Sequence, residues 1–399
     1  MNSLRSVWKS CAAFAVACLA ASVSQAQQQP PSPTPSKETR RAKGERDIDR
    51  FRRLDPYFRS WLIEDVVYII APTERSAFVR TNSDDERRKF IQQFWDRRNP
   101  DPDNLENSYE QEHYRRFIYA NEHFGGSVDG WKSDRGRIYI ELGPPDSIES
   151  AVAGRDCAEH DSRNEVVHNA PASFIWKYQY LEGIGENVEL SFVQNDARRG
   201  DSDDSEFVLS SSVCRYSPIS PLAPGIIRFF IPAEQVDYAS PDVISRYLDS
   251  SAAAPHPKNT DLPALLDSHA KRSQFPLRVE SSLVRATKIT SVASVTVAIP
   301  TVVGVAGKNE RGTSATIYGR FIHKASGVAE GQFELSVFAI RDEGRTRDWI
   351  ELCDKAFPLP AGTYELQIAV KDTVTGDVAT HYSEVSVEPS ALLTKSAAQ

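Results

Sequence analysis

Residues Gly130–Asp146 read GWKSDRGRIYIELGPPD, and the reading of the whole chain turns on them. Before this stretch, apolar residues recur at helical spacing. Within it, Ile138, Ile140 and Leu142 alternate with Tyr139 and Glu141, a period of two that predicts a strand. Gly143-Pro144-Pro145-Asp146 then predicts a turn. A helical layer that gives way to a pleated one here makes an α+β domain of helices plus a small antiparallel sheet.

Upstream, Asp55-Pro56 supplies a helix cap followed by proline at the first helical position. Phe58, Trp61, Leu62 and Asp65 share one side of that helix, so its apolar face ends in a charge. The β-branched run Val66–Ile70 leaves a short strand open as an alternative. Ser83 with Glu86 predicts a capping box for the next helix, whose buried side is Phe90, Ile91, Phe94 and Trp95. A third helix is expected over Leu105–Phe124, with Tyr109, His113, Phe117, Ala120 and Phe124 on one face.

Downstream, Phe174–Tyr180, Val188–Val193 and Phe207–Leu209 read as strands, with a charged loop over 194–206. Two short helices are expected near Pro241–Leu248 and Asp261–His269. From Leu277 only strand signals remain, at 277–286, 291–299, 314–323, 331–340, 363–371 and 378–387. Tyr364, Leu366, Ile368 and Val370 alternate with polar neighbours, as one face of a sandwich requires. Strands this short and this numerous predict an all-β immunoglobulin-like sandwich.

The N-terminus carries Arg5 and Lys9, then the apolar run Cys11–Val23, then Ser24-Gln25-Ala26. This is the pattern of a secretory signal peptide cleaved after Ala26. As a helix the run spans about 20 Å, short of a roughly 30 Å hydrocarbon core. Lipidation at Cys18 is the alternative. The expected organisation is therefore a signal peptide at 1–26, a Pro/Ser-rich tether at 27–45, and the α+β domain at 46–210. A connector with short helices follows at 211–275, then the sandwich at 276–389 and a tail at 390–399. Export predicts a periplasmic or extracellular protein, with no membrane-spanning segment in the mature chain.

The formal net charge is −8, and losing Arg5 and Lys9 with the leader makes the chain more acidic. Phosphate backbones are repelled at long range, so no nucleic-acid partner is expected. Cys157, Cys214 and Cys353 remain after cleavage. Cys157 and Cys214 flank one block of strands and are a possible disulfide, with two buried free thiols as the other reading.

Phe94-Trp95-Asp96-Arg97-Arg98-Asn99-Pro100, Tyr119-Ala120-Asn121-Glu122 with Phe124, and GWKSDRGRIYIELGPPD resemble the bacterial GWxTD domain. Gly185–Val193 (GENVELSFV) is similar to that family's later hairpin, so the resemblance covers roughly residues 50–210. The family's threonine is Ser133 here, and either hydroxyl can cap a turn. The resemblance implies an exported domain, often followed by a β-rich region, with no established biochemical activity.

Two readings of the motif compete. In the architectural one, Gly130 allows close backbone approach, Trp131 fills the seam between helices and sheet, and Ser133 or Asp134 accepts backbone amides. Arg135 then reaches a carboxylate such as Glu110 or Glu112, and Gly136 admits the chain to the first strand. In the functional one, Asp134, Arg135 and Asp146 rim a cleft whose wall Pro144 and Pro145 stiffen. Paired carboxylates do acid–base work only where their environments separate their pKa values.

Glu112-His113, His123, Cys157-x-x-His160 and His168 lack zinc spacing, so no metal and no cofactor are expected. The function expected from these readings is a non-catalytic binding or assembly protein of the cell envelope, meeting a protein partner through strand edges. The alternative is an envelope-polymer hydrolase using Asp134 or Asp146 with Glu112 or His113.

Overall fold

The structure, a computed structural model, describes residues 46–126, 128–158, 166–181, 184–195, 207–214, 257–300, 312–340 and 349–389. The signal peptide, the tether, the tail, most of the connector with its Pro241–Leu248 helix, the 196–206 loop and His160 lie outside the described residues.

Helices build the first layer. Asp55 caps α1 (Pro56–Ser60) by accepting the amide of Tyr57 at 2.8 Å. The helix runs on into a π-helical turn, Trp61–Asp65. The wider turn rotates Glu64 and Asp65 inward, and both are buried. Val66–Ile70 is a turn rather than a strand, closed by Ile69 and Ile70 amides on the Val66 carbonyl. After α2 (Pro72–Arg80) comes α3 (Asp84–Asp96), capped by Ser83 Oγ on the Glu86 amide, while Glu86 reaches back to the amide of Asn82. Asn107 caps α4 (Ser108–Phe124).

The alternating run that predicts a strand is instead a helix, α5 (Asp134–Leu142), capped by Ser133. The reason is its position between two cores. Ile140 enters the helical core with Trp61, Phe78, Phe90, Phe94, Phe117 and Trp131. Ile138 and Tyr139 enter a second core with Trp176, Tyr178, Leu190 and Phe192 of the sheet. A helix whose few apolar residues point to opposite sides loses its 3.6-residue signature. Gly143, at φ +86°, ends it.

The sheet beside α5 has the order β1-β4-β5-β6, from β1 (Ser147–Ala151), β4 (Ser173–Leu181), β5 (Gly185–Gln194) and β6 (Phe207–Ser210), all antiparallel. A hairpin of β2 (Arg155–Ala158) and β3 (Val166–Ala170) stands apart from it. Cys157 and Cys214 form a disulfide with Cα atoms 5.4 Å apart.

The C-terminal region is a β-sandwich. One sheet is β11-β8-β7, from β7 (Arg278–Arg285), β8 (Thr290–Pro300) and β11 (Trp349–Pro360). The other is β10-β9-β12-β13, from β9 (Gly312–His323), β10 (Ala329–Ile340), β12 (Gly362–Asp372) and β13 (Val378–Val387). The inward residues of β12 are fully buried: Tyr364, Leu366, Ile368 and Val370. Helix α6 (Asp261–Asp267) lays Leu262 and Leu266 on the outer face of β9 and β12, against Tyr318 and Ala369. Strand β11, which the sequence reading passed over, holds Cys353 as a buried free thiol. No helix among the described residues is long and apolar enough to cross a membrane.

The disulfide closes a loop with a sequence separation of 57, which stabilises by about 4 kcal/mol in the chain-entropy account. Replacing both cysteines with serine should lower the unfolding free energy by roughly 2–4 kcal/mol in urea titration. An unchanged midpoint would contradict this.

Candidate functional site

The motif is built around two glycines. A Cβ on Gly130 would lie 1.9 Å from the carbonyl oxygen of Ala120, and one on Gly136 would lie 1.9 Å from the carbonyl oxygen of Gly130. The turn Gly130–Lys132 therefore rests backbone to backbone on α4, and the start of α5 rests on the turn. Ser133 Oγ donates to the Gly130 carbonyl at 2.8 Å and accepts the Gly136 amide at 3.0 Å, tying the two contacts together.

Trp131 differs from expectation. Its ring lies in the helical core, facing Phe117 and Tyr68, and the helix–sheet seam is filled by Phe124, Tyr139 and Trp176. Its backbone is clamped: the amide donates to Asn121 Oδ1 and the carbonyl accepts Tyr68 Oη. Asp134 Oδ2 accepts the Leu209 amide at 2.8 Å, binding α5 to β6, and burial pushes its carboxyl up. Asp146 Oδ2 accepts the Gln179 amide at 2.6 Å. Between them Gly143 offers its carbonyl to Tyr178 Oη, and Pro144 lies exposed.

Arg135 reaches neither Glu110 nor Glu112. Glu112 is held by Arg115 and Arg116; burial pushes its carboxyl up, but those two hydrogen bonds outweigh it and hold it below the ordinary value. Arg135 instead sits among the rings of Phe124, Phe174 and Phe207.

Two of the residues named for acid–base work, Asp134 and Asp146, stand apart. Asp134 opens α5 and Asp146 follows its end, so a nine-residue helix of roughly 13 Å separates them. His113 is buried and gives its Nε2 to the Asp65 carbonyl at 2.7 Å. A carbonyl only accepts, so that nitrogen carries the proton. Burial lowers the ring's pKa to about 4, keeping it neutral. Among the described residues no group of three or more His, Cys, Asp or Glu side chains could hold a metal ion.

The most perturbed carboxylates are ones the sequence reading did not name for acid–base work. Asp65 is fully buried; its Oδ2 accepts Tyr114 Oη at 2.9 Å and Thr290 Oγ1 at 2.7 Å, and its Oδ1 accepts no hydrogen bond. Burial raises its pKa to about 7 against the lowering effect of the nearby Thr290, Thr287 and Tyr114 hydroxyls. Beside it, Glu64 takes the amide of Lys288 at 2.9 Å and its ammonium at 3.2 Å. Glu110 is raised to about 8 by burial and by repulsion from Asp96, Glu330 and Asp65. Asp65 ending an otherwise apolar helix face was the one local signal. Its partner Thr290 lies 225 residues away, beyond any local pattern.

Residues 48–160 match the family model of the GWxTD domain. No curated protein matches the chain. Among solved structures it is similar to a beta-glucuronidase from glycoside hydrolase family 2, at 9% identity and a TM-score of 0.20, over 27% of this chain and 11% of that one. It is also similar to a domain of the outer membrane lipoprotein Omp28 from Porphyromonas gingivalis, at 12% identity and a TM-score of 0.18, over 30% of this chain and 98% of that one.

Gly130→Ala forces a methyl into backbone and should destabilise by at least about 1–3 kcal/mol. Ser133→Ala, which loses a cap, should cost about 1 kcal/mol. Denaturant titration checks both, and equal small losses would undo the nested-turn account. The pH dependence follows from the buried acids. Folded Asp65 and Glu110 keep their protons up to about pH 7 and 8, while the unfolded chain releases them near 3.8 and 4.5. Their contribution is complete below pH 4 and is lost as pH rises through 7 and 8. His113 acts oppositely, costing stability as pH falls from 6.5 towards 4. Above pH 6.5 only the acids act, so the thermal midpoint should drop between pH 6.5 and 8, and Asp65→Asn should flatten that drop.

Proposed function

Because the chain is a GWxTD domain-containing protein, we propose that it is an exported, non-catalytic binding or assembly protein of the cell envelope. One observation carries this reading. The hydroxyl and both carboxylates of the motif are engaged by the protein's own backbone: Ser133 by Gly130 and Gly136, Asp134 by Leu209, Asp146 by Gln179. Such a motif builds a scaffold, and a scaffold presents surfaces.

Strand edges are the surfaces in question. β7 pairs only with β8 among the described strands and is exposed along nearly its whole length, with Leu283 and Val284 each about two-fifths exposed. A partner strand adding to such an edge gains main-chain hydrogen bonds together with side-chain pockets. The immunoglobulin-like reading of the sandwich is supported by three strands facing four. It is supported too by Tyr364 at the start of β12, whose hydroxyl donates to the Pro360 carbonyl four residues upstream at 2.9 Å. Export rests on the N-terminal signal pattern.

The full chain, immobilised and exposed to envelope extract, should capture a specific protein, and Leu283→Lys with Val284→Lys should weaken that capture at least tenfold. Capture of nothing specific would sink the reading. Mass spectrometry of the mature protein should find Gln27 at its N-terminus, whereas a lipid-modified Cys18 would reverse the assignment of the signal.

A further inference from the structure

The helical layer and the sandwich have separate cores joined by a small plug. Every buried member of the sandwich core lies at or beyond Phe275, and from that side Ala286, Ile289 and Val292 cross into the helical core. Two acids stand where the plug seats. Asp65 is fully buried in the π-helical turn. Its Oδ2 accepts the hydroxyl of Thr290, in β8, across the boundary at 2.7 Å, while its Oδ1 is buried without a hydrogen-bond partner. Glu110, in the first turn of α4, is partly buried. The charges that act on it are all acidic: Asp96 of α3, Glu330 of β10 and Asp65. Glu330 belongs to the opposite side, where it accepts Tyr364 Oη of β12 at 3.1 Å.

The groups around these acids come from every element that meets there. Glu64 adjoins Asp65 and pairs with Lys288 of the β7–β8 connection, and Lys355 of β11 pairs with Glu106 just before α4. On α4, Tyr114 donates its hydroxyl to Asp65 Oδ2 and His113 holds the Asp65 carbonyl. Arg116 and Arg98, which act on His113, are held by Glu112 and Glu74. Tyr57 of α1 is pushed far up by burial and by Asp65, Glu330 and Glu110, with Arg88 opposing. His323 of β9 acts on Glu330, whose carboxyl burial also pushes up.

Neutral acids suit this boundary and ionised ones do not. A carboxylate in a dry interior needs hydrogen bonds or a cation to replace its lost hydration, and Asp65 Oδ1 has neither. Glu110 and Glu330, charged together, repel each other across the boundary. Withdrawal of the plug returns both buried acids to water, so every proton they lose favours the withdrawn form. Burial raises Asp65 to about 7, and burial with repulsion raises Glu110 to about 8. Folded values above the ordinary ones favour the seated form fully below about pH 4, and that advantage is gone once pH has risen through 7 and 8. His113 works in the opposite sense, but below pH 6.5.

We propose that the boundary between the helical layer and the sandwich is a pH-operated joint, in which the Ala286–Val292 plug is seated while Asp65 and Glu110 are neutral and withdraws when they ionise, each layer keeping its own core. The joint is a property of the fold beyond the binding-protein reading and stands or falls without it.

Hydrogen exchange on the full mature chain tests it, read by mass spectrometry on peptides covering 286–292 and 364–370 at matched ionic strength. The first peptide contains the Lys288 amide that donates to Glu64 across the boundary, and the second lies in the sandwich core. After correction for intrinsic exchange, protection of 286–292 should fall roughly tenfold or more between pH 6.5 and 8.5, while 364–370 changes by less than about twofold. The Asp65→Asn, Glu110→Gln double variant should hold the change in 286–292 below about twofold. Constant protection of 286–292 in wild type overturns the joint. So does an equal loss in both peptides, which is unfolding of the whole, and these two outcomes decide the matter even if the double variant does not fold. An undiminished fall in a folded double variant overturns it as well.

Discussion

Everything in the first half of the molecule hangs on a backbone contact that excludes a side chain. The Cα of Gly130 lies so close to the Ala120 carbonyl that a Cβ would sit inside it. Because α4 and the turn meet without side chains between them, α5 leaves the turn at close quarters to α4. That places one side of α5 in the helical core and the other against the sheet. Helices ordinarily pack at 8–10 Å between axes because side chains keep them apart. Removing the side chain at one point lets a nine-residue helix serve two cores. Gly136 repeats the device one step later, and Ser133 ties the two together.

A second constraint joins this assembly to the sandwich, and it is polar. The connection between β7 and β8 inserts Ala286 and Ile289 into the helical core, and the start of β8 adds Val292. Around that plug, Asp65 takes Thr290, Glu64 takes Lys288, and Asn121 donates to the Ala286 carbonyl. Apolar burial drives such an insertion without fixing its register, whereas buried hydrogen bonds lose heavily if they are displaced. Asp65 is the costly member, since one oxygen has no partner and the interior favours its neutral form. Asn121 also holds the Trp131 amide, so the same side chain serves both the nested turn and the inter-layer contact.

How far the sequence showed this depends on the range of the physics. Caps act over three residues, and Asp55, Ser83 and the end of α4 at Phe124 were legible. The β12 alternation was legible because one face meets a core and the other does not. α5 was misread because its two apolar sides face different cores, which leaves alternation without a strand. The role of Ser133 as acceptor of a backbone amide in a tight turn follows from its chemistry, whereas the partner of Asp134, the Leu209 amide, comes from a strand 75 residues on. The companions of Asp65 and Arg135 were beyond reach, because both are set by strands that arrive much later in the chain.

The contrast between Asp134 and Arg135 bears most on function. Adjacent on one helix, the first satisfies a backbone amide of the sheet, while the second is surrounded by rings and meets no opposite charge among the described residues. If the motif served architecture alone, the position of Arg135 would be better filled by an apolar side chain, which would pack against three phenylalanines without a desolvation cost. The motif thus divides: its glycines, serine and aspartate set the geometry by meeting backbone, and its arginine packs among rings.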